Sequence, residues 1–437
     1  MRMFRLPVKV LLVIGSLLPA AACETKPGDA RGADSTGVIL QSPPTPVRFG
    51  MLPYGDHTYA IIGAKLGWFE DVGIALDHRL IKVEEIIPSL RQGTLDVVST
   101  PPGILFAAHD NAPNLVSFVF GDLFQGYAIM AQPNDNVRSY SDFVAEGMAP
   151  DAAIRATVQQ MRGKRFAYPT EAAIQPFIDL VLEKGGLSRT DIRAAVLDDP
   201  LTVNEMRKRR ADFQVGGVPS RLVLQREGFR PILSSVDLAR GAAPTPNSPE
   251  LTSILQNGWA ASKNYYDRNR VTILRLASVN YRIMKFINDY PDSAIALHMP
   301  YLSEVSGQQF GPEEGRIIYQ DLDPFVTFEN QREWFHNPRN PLYYANLNGS
   351  ILNSFIAQGI FRNPAPAVET VIYADDVYRE LERLKGSADS IFRVLNRGTT
   401  NSSRRLISEA RRQYGFYNYF DAERLARQVL ASRGTRP

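Results

Sequence analysis

Acidic, aromatic and hydroxyl side chains are concentrated in five short segments of this 437-residue chain. The segments read PYGDHTY, STPPG, FGDLFQGY, YPTEA and VGGVPS, and their candidate binding residues are Tyr54, Asp56, His57, Tyr59, Ser99, Thr100, Asp122, Gln125, Tyr127, Tyr168, Thr170, Glu171, Gly216, Gly217 and Ser220. Carboxylates beside aromatic rings can hold a cation or a neutral polar molecule. A Ser or Thr at such a place is equally compatible with a helix cap or a turn, so both interpretations stay open.

The charge of these five segments is one-sided. Asp56, Asp122 and Glu171 are accompanied by His57 as the one possible cation, and no Arg or Lys occurs in the quoted segments. A site for a small oxyanion would be expected to offer a fixed cation or a nest of backbone N–H groups. We therefore expect a neutral or cationic ligand, which could carry an aromatic ring, while N–H nests at helix starts keep an anion as the alternative.

Sequence patterns that would support catalysis are missing. The five histidines form no His-x-x-His or His-Glu-x-x-His pattern, and there is no Gly-x-Ser-x-Gly elbow and no Walker loop. One cysteine in the whole chain rules out disulfides and cysteine-based metal sites. The net charge is only +3, and the central body has no basic run with stacking aromatics, so nothing indicates nucleic-acid binding. We expect a binding protein without a cofactor or a metal.

The single cysteine, Cys23, follows a segment that is typical of exported proteins. Three basic residues precede an apolar stretch, 10–18, that is too short to span a membrane permanently. The run Ala-Ala-Ala-Cys23 resembles a bacterial lipobox, in which Cys23 carries the lipid, and ordinary cleavage just before Cys23 is the alternative. We expect 1–23 to be a signal or lipoprotein segment, 24–46 a flexible tether, and the protein to be lipid-anchored in the periplasm or at the cell surface.

The five segments follow the strands of two similar α/β halves. In both halves, strand-like and helix-like stretches alternate, which predicts an open sheet flanked by helices. Ligands of such sheets bind beyond the carboxyl ends of the strands. GYAIMAQPND leads out of the first half and LTSILQNGWAASKNYY leads back, so two crossings would form a hinge. We expect 47–130 and 256–365 to form lobe 1 and 131–255 to form lobe 2.

AIIGAKLGWFEDVGIAL, followed by LRQGTLDVVST, resembles the solute-binding proteins of ABC importers in the nitrate, sulfonate, taurine and thiamine-precursor group. The residues that match the pattern of the family are Lys65, Gly67, Phe69, Gly73, Gly93 and Asp96. The likeness extends from about Val47 to Phe361, with MRGKRFAYPT and NGWAASKNYYDRNR where the family would have them. We assign Gly67 and Gly73 to turns and Phe69 to packing rather than to binding.

The resemblance implies a two-lobed periplasmic-binding-protein fold of type II, which would close on a small molecule and deliver it, as a monomer, to an ABC permease. A membrane-tethered sensor or accessory protein with the same cleft is the alternative. A third is an enzyme of this fold that makes a pyrimidine precursor. The family associates that activity with a cysteine-rich motif, whereas Cys23 is the one cysteine here.

Residues 366–437 extend beyond the family core and are rich in arginine. We predict short helices that end at Gly386 and Gly398, and two more around Gly415. A basic, aromatic, amphipathic stretch can lie on an anionic membrane or bind a partner, and it can equally pack on its own domain. Both interpretations stay open at this point.

Overall fold

Two five-stranded sheets form the framework of the protein in a computed structural model, which describes residues 43–133, 135–241, 244–395 and 401–434. Cys23, the predicted signal segment, most of the predicted tether and Gly398 lie outside the described residues, so the expectations for them stay predictions. Along the described chain, no helix is both long and apolar enough to cross a membrane.

The two sheets share one topology. The first has the order β2-β1-β3-β10-β4 and the second has the order β7-β6-β8-β5-β9. The strands are β1 (Thr45–Met51), β2 (Ile74–Leu80), β3 (Val97–Thr100), β4 (Leu115–Phe124), β5 (Ala128–Ala131), β6 (Arg165–Pro169), β7 (Arg193–Leu197), β8 (Phe213–Gly216), β9 (Arg230–Ser234) and β10 (Leu255–Ser262). In each sheet the first three strands are parallel, and the strand that arrives from the other sheet is antiparallel to both of its neighbours.

Helices follow most of the strands and cover the sheets. Those of the first half of the chain are α1 (Ala60–Lys65), α2 (Ile86–Gln92), α3 (Pro102–Ala107), α4 (Tyr140–Ala145), α5 (Pro150–Gln159), α6 (Gln175–Lys184), α7 (Asp199–Arg207), α8 (Ser220–Arg226) and α9 (Ser235–Gly241). Those of the second half are α10 (Lys263–Arg268), α11 (Arg270–Asp289), α12 (Pro291–Ser306), α13 (Pro312–Ile317), α14 (Arg332–His336), α15 (Tyr344–Ala357), α16 (Ala374–Leu395), α17 (Asn401–Gly415) and α18 (Tyr419–Gly434).

The chain crosses between the sheets twice, as the sequence predicts. The first crossing follows β4 and the second precedes β10, so the predicted α/β class with two open sheets and a hinge is confirmed. Strand β5 belongs entirely to the second sheet, which puts the first crossing at residues 125–127 rather than after 130. We call the first sheet with its helices lobe 1 and the second lobe 2.

Strand β10 is the centre of the lobe 1 core. Trp259 is fully buried, and its ring packs edge-on against Phe49 at 5.0 Å between centroids. The neighbouring Gly258 lies at an irregularity in the pairing of β10 with β4, where a Cβ atom would come within 1.8 Å of the Val119 carbonyl oxygen. Only glycine lets the two backbones approach so closely.

The two similar halves of the chain share one contact between their strands. In lobe 1 the Arg48 amide donates to the Asp96 carboxylate at 2.9 Å, and the Asp96 amide donates back to the Arg48 carbonyl. In lobe 2 Arg165 and Asp212 make the same reciprocal pair, with the amide-to-carboxylate bond at 2.7 Å. Each aspartate therefore fixes the register between two adjacent parallel strands, β1 and β3 in lobe 1 and β6 and β8 in lobe 2.

The C-terminal helices pack on lobe 1. Tyr378 of α16 is buried, donates to the Phe328 carbonyl at 3.0 Å and stacks on the Phe335 ring. Asp421 of α18 is fully buried and accepts a hydrogen bond from Arg275 of α11 at 2.8 Å. The prediction of a helix end at Gly386 is wrong, because α16 runs through it: packing of the apolar stripe outweighs the helix penalty of one glycine.

Candidate functional site

A cavity of about 430 Å³ opens between the lobes, and we call it the outer cavity. Its wall contains Tyr54 from the loop after β1, Thr170 and Glu171 from the loop after β6, and Asp199 at the start of α7. All of these follow the carboxyl ends of parallel strands, which is where open α/β sheets bind ligands. The volume suits a small organic molecule.

A second, much smaller space of about 30 Å³ is lined by several of the same residues, and we call it the deep cavity. Tyr54, Glu171 and Asp199 line both cavities, while Asp56, His57, Phe124, Tyr127 and Gly217 line the deep one. Asp56 belongs to lobe 1, and Glu171 and Asp199 belong to lobe 2. Three carboxyl groups from both lobes therefore converge on one narrow space.

Burial dominates the electrostatics of these carboxyls. Loss of water raises the pKa of Asp56 to about 7, that of Asp199 to about 6 and that of Glu171 to about 8, the last helped by the charges of Asp56 and Asp199. Burial also lowers the pKa of His57 to about 3, so its imidazole is neutral and offers the carboxyls no positive charge. In the closed lobes, these carboxyls need protons or a cation from outside.

Asp56, His57 and Ser99 lie in a row at the floor of the deep cavity, with a hydrogen bond between His57 and Ser99. The Ser99 hydroxyl lies 2.9 Å from His57 Nδ1, and His57 Nε2 lies 3.3 Å from an Asp56 carboxylate oxygen. A nucleophilic triad uses the same three groups, with the serine hydroxyl facing the substrate and the carboxylate behind the imidazole. Here the carboxylate is on the side of the cleft. Asp56 borders the cavity, whereas Ser99 is fully buried behind the imidazole, so the hydroxyl cannot reach a substrate.

A buried polar network connects the deep cavity to the hinge. Asn257, just after the second crossing, donates to Asp56 at 2.6 Å and to Asp122 at 3.1 Å. Asp122 lies near the end of β4, before the first crossing, and burial raises its pKa and that of the adjacent Asp323 far above the usual range. The two crossings and the cleft floor are thus held in one network.

The structure sorts the residues predicted from the sequence into three groups. Those that line the cleft are Tyr54, Asp56, His57, Tyr127, Thr170, Glu171, Gly217 and Ser220. Those buried behind its floor are Ser99, Thr100, Asp122 and Gly216. The last group lies away from the cavities and comprises Tyr59, Gln125 and Tyr168. That any of the lining residues binds a ligand stays a prediction.

The last group corrects three predictions. The hydroxyl of Tyr59 donates to Asn280 at 2.8 Å and its ring stacks on Trp259, so this residue belongs to the core of lobe 1. The Gln125 side chain donates to the Asp321 carbonyl at the hinge, and the Tyr168 hydroxyl accepts from Arg189 within lobe 2.

Asp199 is the residue that the sequence reasoning missed. It lies at the carboxyl end of β7, in the stretch LDDP, and the rule that selected the loops after other parallel strands applies equally to this one. The Ser220 hydroxyl donates to its Oδ2, and Oδ1 is buried without a hydrogen-bond partner among the described residues.

Comparisons with known proteins agree with this geometry. Residues 40–281, more than half of the chain, match the family described as NMT1-like. No curated protein matches the chain. The periplasmic aliphatic sulphonate binding protein SsuA from Escherichia coli has a similar structure, with a TM-score of 0.54 and 15% identity over 75% of this chain and 91% of that one.

Two further structures have the same fold. The alkanesulfonate-binding protein SsuA from Xanthomonas axonopodis pv. citri, bound to MOPS, has a TM-score of 0.54 and 14% identity over 76% of this chain and 99% of that one. A cysteine-to-serine mutant of the desulfurization enzyme DSZB, in complex with biphenyl-2-sulfinic acid, has a TM-score of 0.51 and 13% identity over 78% of this chain and 99% of that one. The predicted two-lobed periplasmic-binding-protein fold is confirmed, and this fold hosts both binding proteins and an enzyme.

Proposed function

The chain belongs to the NMT1-like family, and on this basis we propose that it is an extracytoplasmic solute-binding protein of an ABC importer. A small molecule would enter the cleft, contact both lobes and shift the hinge towards the closed form because it binds that form better. The observation that carries the proposal is the convergence of residues from both lobes on two adjacent cavities that share Tyr54, Glu171 and Asp199. A closed complex would then deliver the ligand to the permease.

A second observation supports binding rather than catalysis. The Ser99 hydroxyl is fully buried and bonded to His57, and within the part of the chain that the structure describes no acidic, His or Cys cluster suits a metal ion. The structural likeness to a desulfurization enzyme concerns the fold alone at this level of identity.

Closure of the lobes on a ligand can be tested with a variant that blocks it. Gly103 of α3 in lobe 1 lies at the contact with lobe 2, because a Cβ atom on it would lie 3.6 Å from Ala173 Cα of lobe 2 and 3.6 Å from Ile351 of α15 in lobe 1. Gly103→Trp should hold the lobes apart and prevent the protein from binding a small molecule out of a low-molecular-weight extract of the producing cells. Native mass spectrometry detects the bound molecule, and small-angle X-ray scattering detects closure of the lobes.

Gly386→Trp is the matched control, because a Cβ atom at Gly386 meets nothing within 4 Å and the residue lies in the C-terminal helices. A ligand that binds both variants equally would show that the cleft is not the site. Absence of any bound small molecule and of any compaction in the unmodified protein would refute the proposal.

Export and lipid anchoring are also part of the proposal, and they rest on the sequence around Cys23. Mass spectrometry of the N-terminal peptide should find a diacylglyceryl group on Cys23, and Cys23→Ser should release the protein from the membrane fraction. An unmodified mature N-terminus at Cys23 would instead support ordinary cleavage.

The alternative role as a sensor or accessory protein would need the C-terminal helices as a contact surface. Deleting everything after Gly386 cannot test this, since it would cut α16 in the middle and remove Asp421 from the core of lobe 1. Replacing the exposed Arg404 and Arg405 by glutamine leaves the packing intact. Lost coupling to a membrane partner with unchanged ligand affinity would favour the accessory role, whereas retained transport would favour the importer.

A further inference from the structure

We infer that the cleft binds a small organic amine, and that its protonated primary ammonium group enters the deep cavity between Asp56, Glu171 and Asp199. This inference rests on the proposed function and adds to it the chemical class of the ligand. Four features of the described residues carry it: an orphan carboxylate oxygen, the lack of a fixed positive charge, the size of the deep cavity, and the aromatic groups around it.

Asp199 provides the most direct indication of a missing hydrogen-bond donor. The residue is 9% exposed, and it borders both cavities. Ser220 satisfies its Oδ2, while its Oδ1 is buried without a partner among the described residues. A buried carboxylate oxygen without a donor is costly, and an N–H group of a ligand in the cleft would remove that cost.

No side chain of the described wall supplies the positive charge. His57 is the one basic residue that lines the deep cavity, and its imidazole is neutral. Two cations border the outer cavity, but the Arg207 guanidinium is paired with Glu227 at 2.9 Å and the Lys82 side chain is 78% exposed. The compensating charge must therefore enter with the ligand or as protons.

The size and lining of the deep cavity select the kind of cation. About 30 Å³ admits a group of the size of one or two water molecules, which fits an ammonium group and not a bulky quaternary amine. A primary ammonium offers three N–H donors to three carboxyls, and a quaternary one offers none. The rings of Tyr54, Phe124 and Tyr127 line the same space and can stabilise the cation further.

A sulfonate does not fit this environment. Its negative charge would lie beside three carboxyl groups with no fixed cation among the described residues of the deep cavity, so all three would have to be protonated before it could enter. The sulfonate-binding proteins of the same fold are 14 to 15% identical to this chain, a level at which the fold is shared and the ligand need not be.

The test uses two sets of three molecules, and the members of each set have the same carbon skeleton but a positive, a neutral or a negative end group. Phenethylamine, 2-phenylethanol and 2-phenylethanesulfonate, together with butylamine, 1-butanol and butanesulfonate, are titrated into the full-length protein by calorimetry and thermal unfolding. We expect an amine to bind and to raise the unfolding midpoint, with its alcohol and sulfonate weaker by about tenfold or more.

Asp199→Asn should weaken amine binding by about tenfold or more, because it removes the charge and keeps the shape. Glu84→Gln is the matched control at the rim of the outer cavity, where the side chain is 71% exposed, and it should change the affinity less than about twofold. Amine affinity should also rise from about pH 5.5 to about pH 8, since the raised carboxyl pKa values make protons compete with the amine.

Two results would overturn the inference while solute binding survives: a sulfonate or an alcohol that binds more tightly than its matched amine, or amine binding that Asp199→Asn leaves unchanged. Failure of both amines, while the cell extract still yields a cleft-bound ligand, also overturns it. If the extract and all six probes leave the protein open and unbound, the proposed function fails as well.

Discussion

Replacing Glu171 by glutamine should make the ligand-free cleft easier to close, and the effect should depend on pH. Burial between the lobes raises the pKa of Glu171 to about 8, and we expect opening of the lobes to expose the side chain and return its pKa to the ordinary 4.5. Closure at neutral pH therefore takes up a proton. The free energy that Glu171 adds to the cost of closure is absent below pH 4.5 and grows as the pH rises. It reaches its full value above the pKa of the closed form.

The two pKa values set the size of the effect. At pH 7 the cost of protonating or burying Glu171 is about 3 kcal/mol, and at pH 5 it falls to about 1 kcal/mol. Glu171→Gln removes this cost, so the ratio of closed to open protein at pH 7 should rise on the order of a hundredfold. Asp56 and Asp199 face Glu171 across the cavity, and their like charges act in the same direction.

Small-angle X-ray scattering of the ligand-free protein reports the ratio of closed to open molecules. The radius of gyration of the unmodified protein should increase from about pH 5 to about pH 8, while that of Glu171→Gln should increase less. Glu183→Gln, on the exposed surface of α6, controls for the loss of one charge elsewhere in lobe 2. Equal radii for Glu171→Gln and the unmodified protein at every pH would refute the reasoning.

Three substitutions test the packing by urea unfolding. Gly258→Ala should destabilise the protein by about 3 kcal/mol or more, because its methyl group would overlap the Val119 carbonyl; a loss below about 1 kcal/mol would contradict the close approach of β10 and β4. Gly386→Ala should stabilise α16 by about 0.5–1 kcal/mol, and destabilisation would mean that the helix is broken there. Tyr378→Ala should cost about 3–5 kcal/mol if the C-terminal helices are part of the lobe 1 core, and a neutral result would mean that they are not.

Local patterns were sufficient to predict most of the fold. Gly67 and Gly73, assigned to turns from the sequence, have φ angles of 72° and 75°, and the alternation of strands and helices gave both sheets and both crossings. Gly386 shows where local patterns fail, because its helix is kept by contacts with residues that are distant in sequence.

The site was predictable only as a set of loops. Asp56 and Glu171 were found because they follow parallel strands, and Asp199 obeys the same rule in a loop that had not been considered. Tyr59 follows β1 and Tyr168 lies near the end of β6, yet both side chains are buried in the cores of their lobes. The direction of a side chain at the end of a strand depends on tertiary packing, which one sequence does not reveal.

The exchange of strands between the two sheets also dictates an order of events during folding. Strand β10 separates β3 from β4 in the first sheet, and it follows the whole of lobe 2 in the chain. An N-terminal fragment that ends before Leu255 therefore has a gap in the middle of its sheet, and its apolar surface cannot be closed until lobe 2 has been made. For a chain that is proposed to be exported, this delay is useful, because the polypeptide stays incompletely folded until nearly all of it is available for transfer across the membrane.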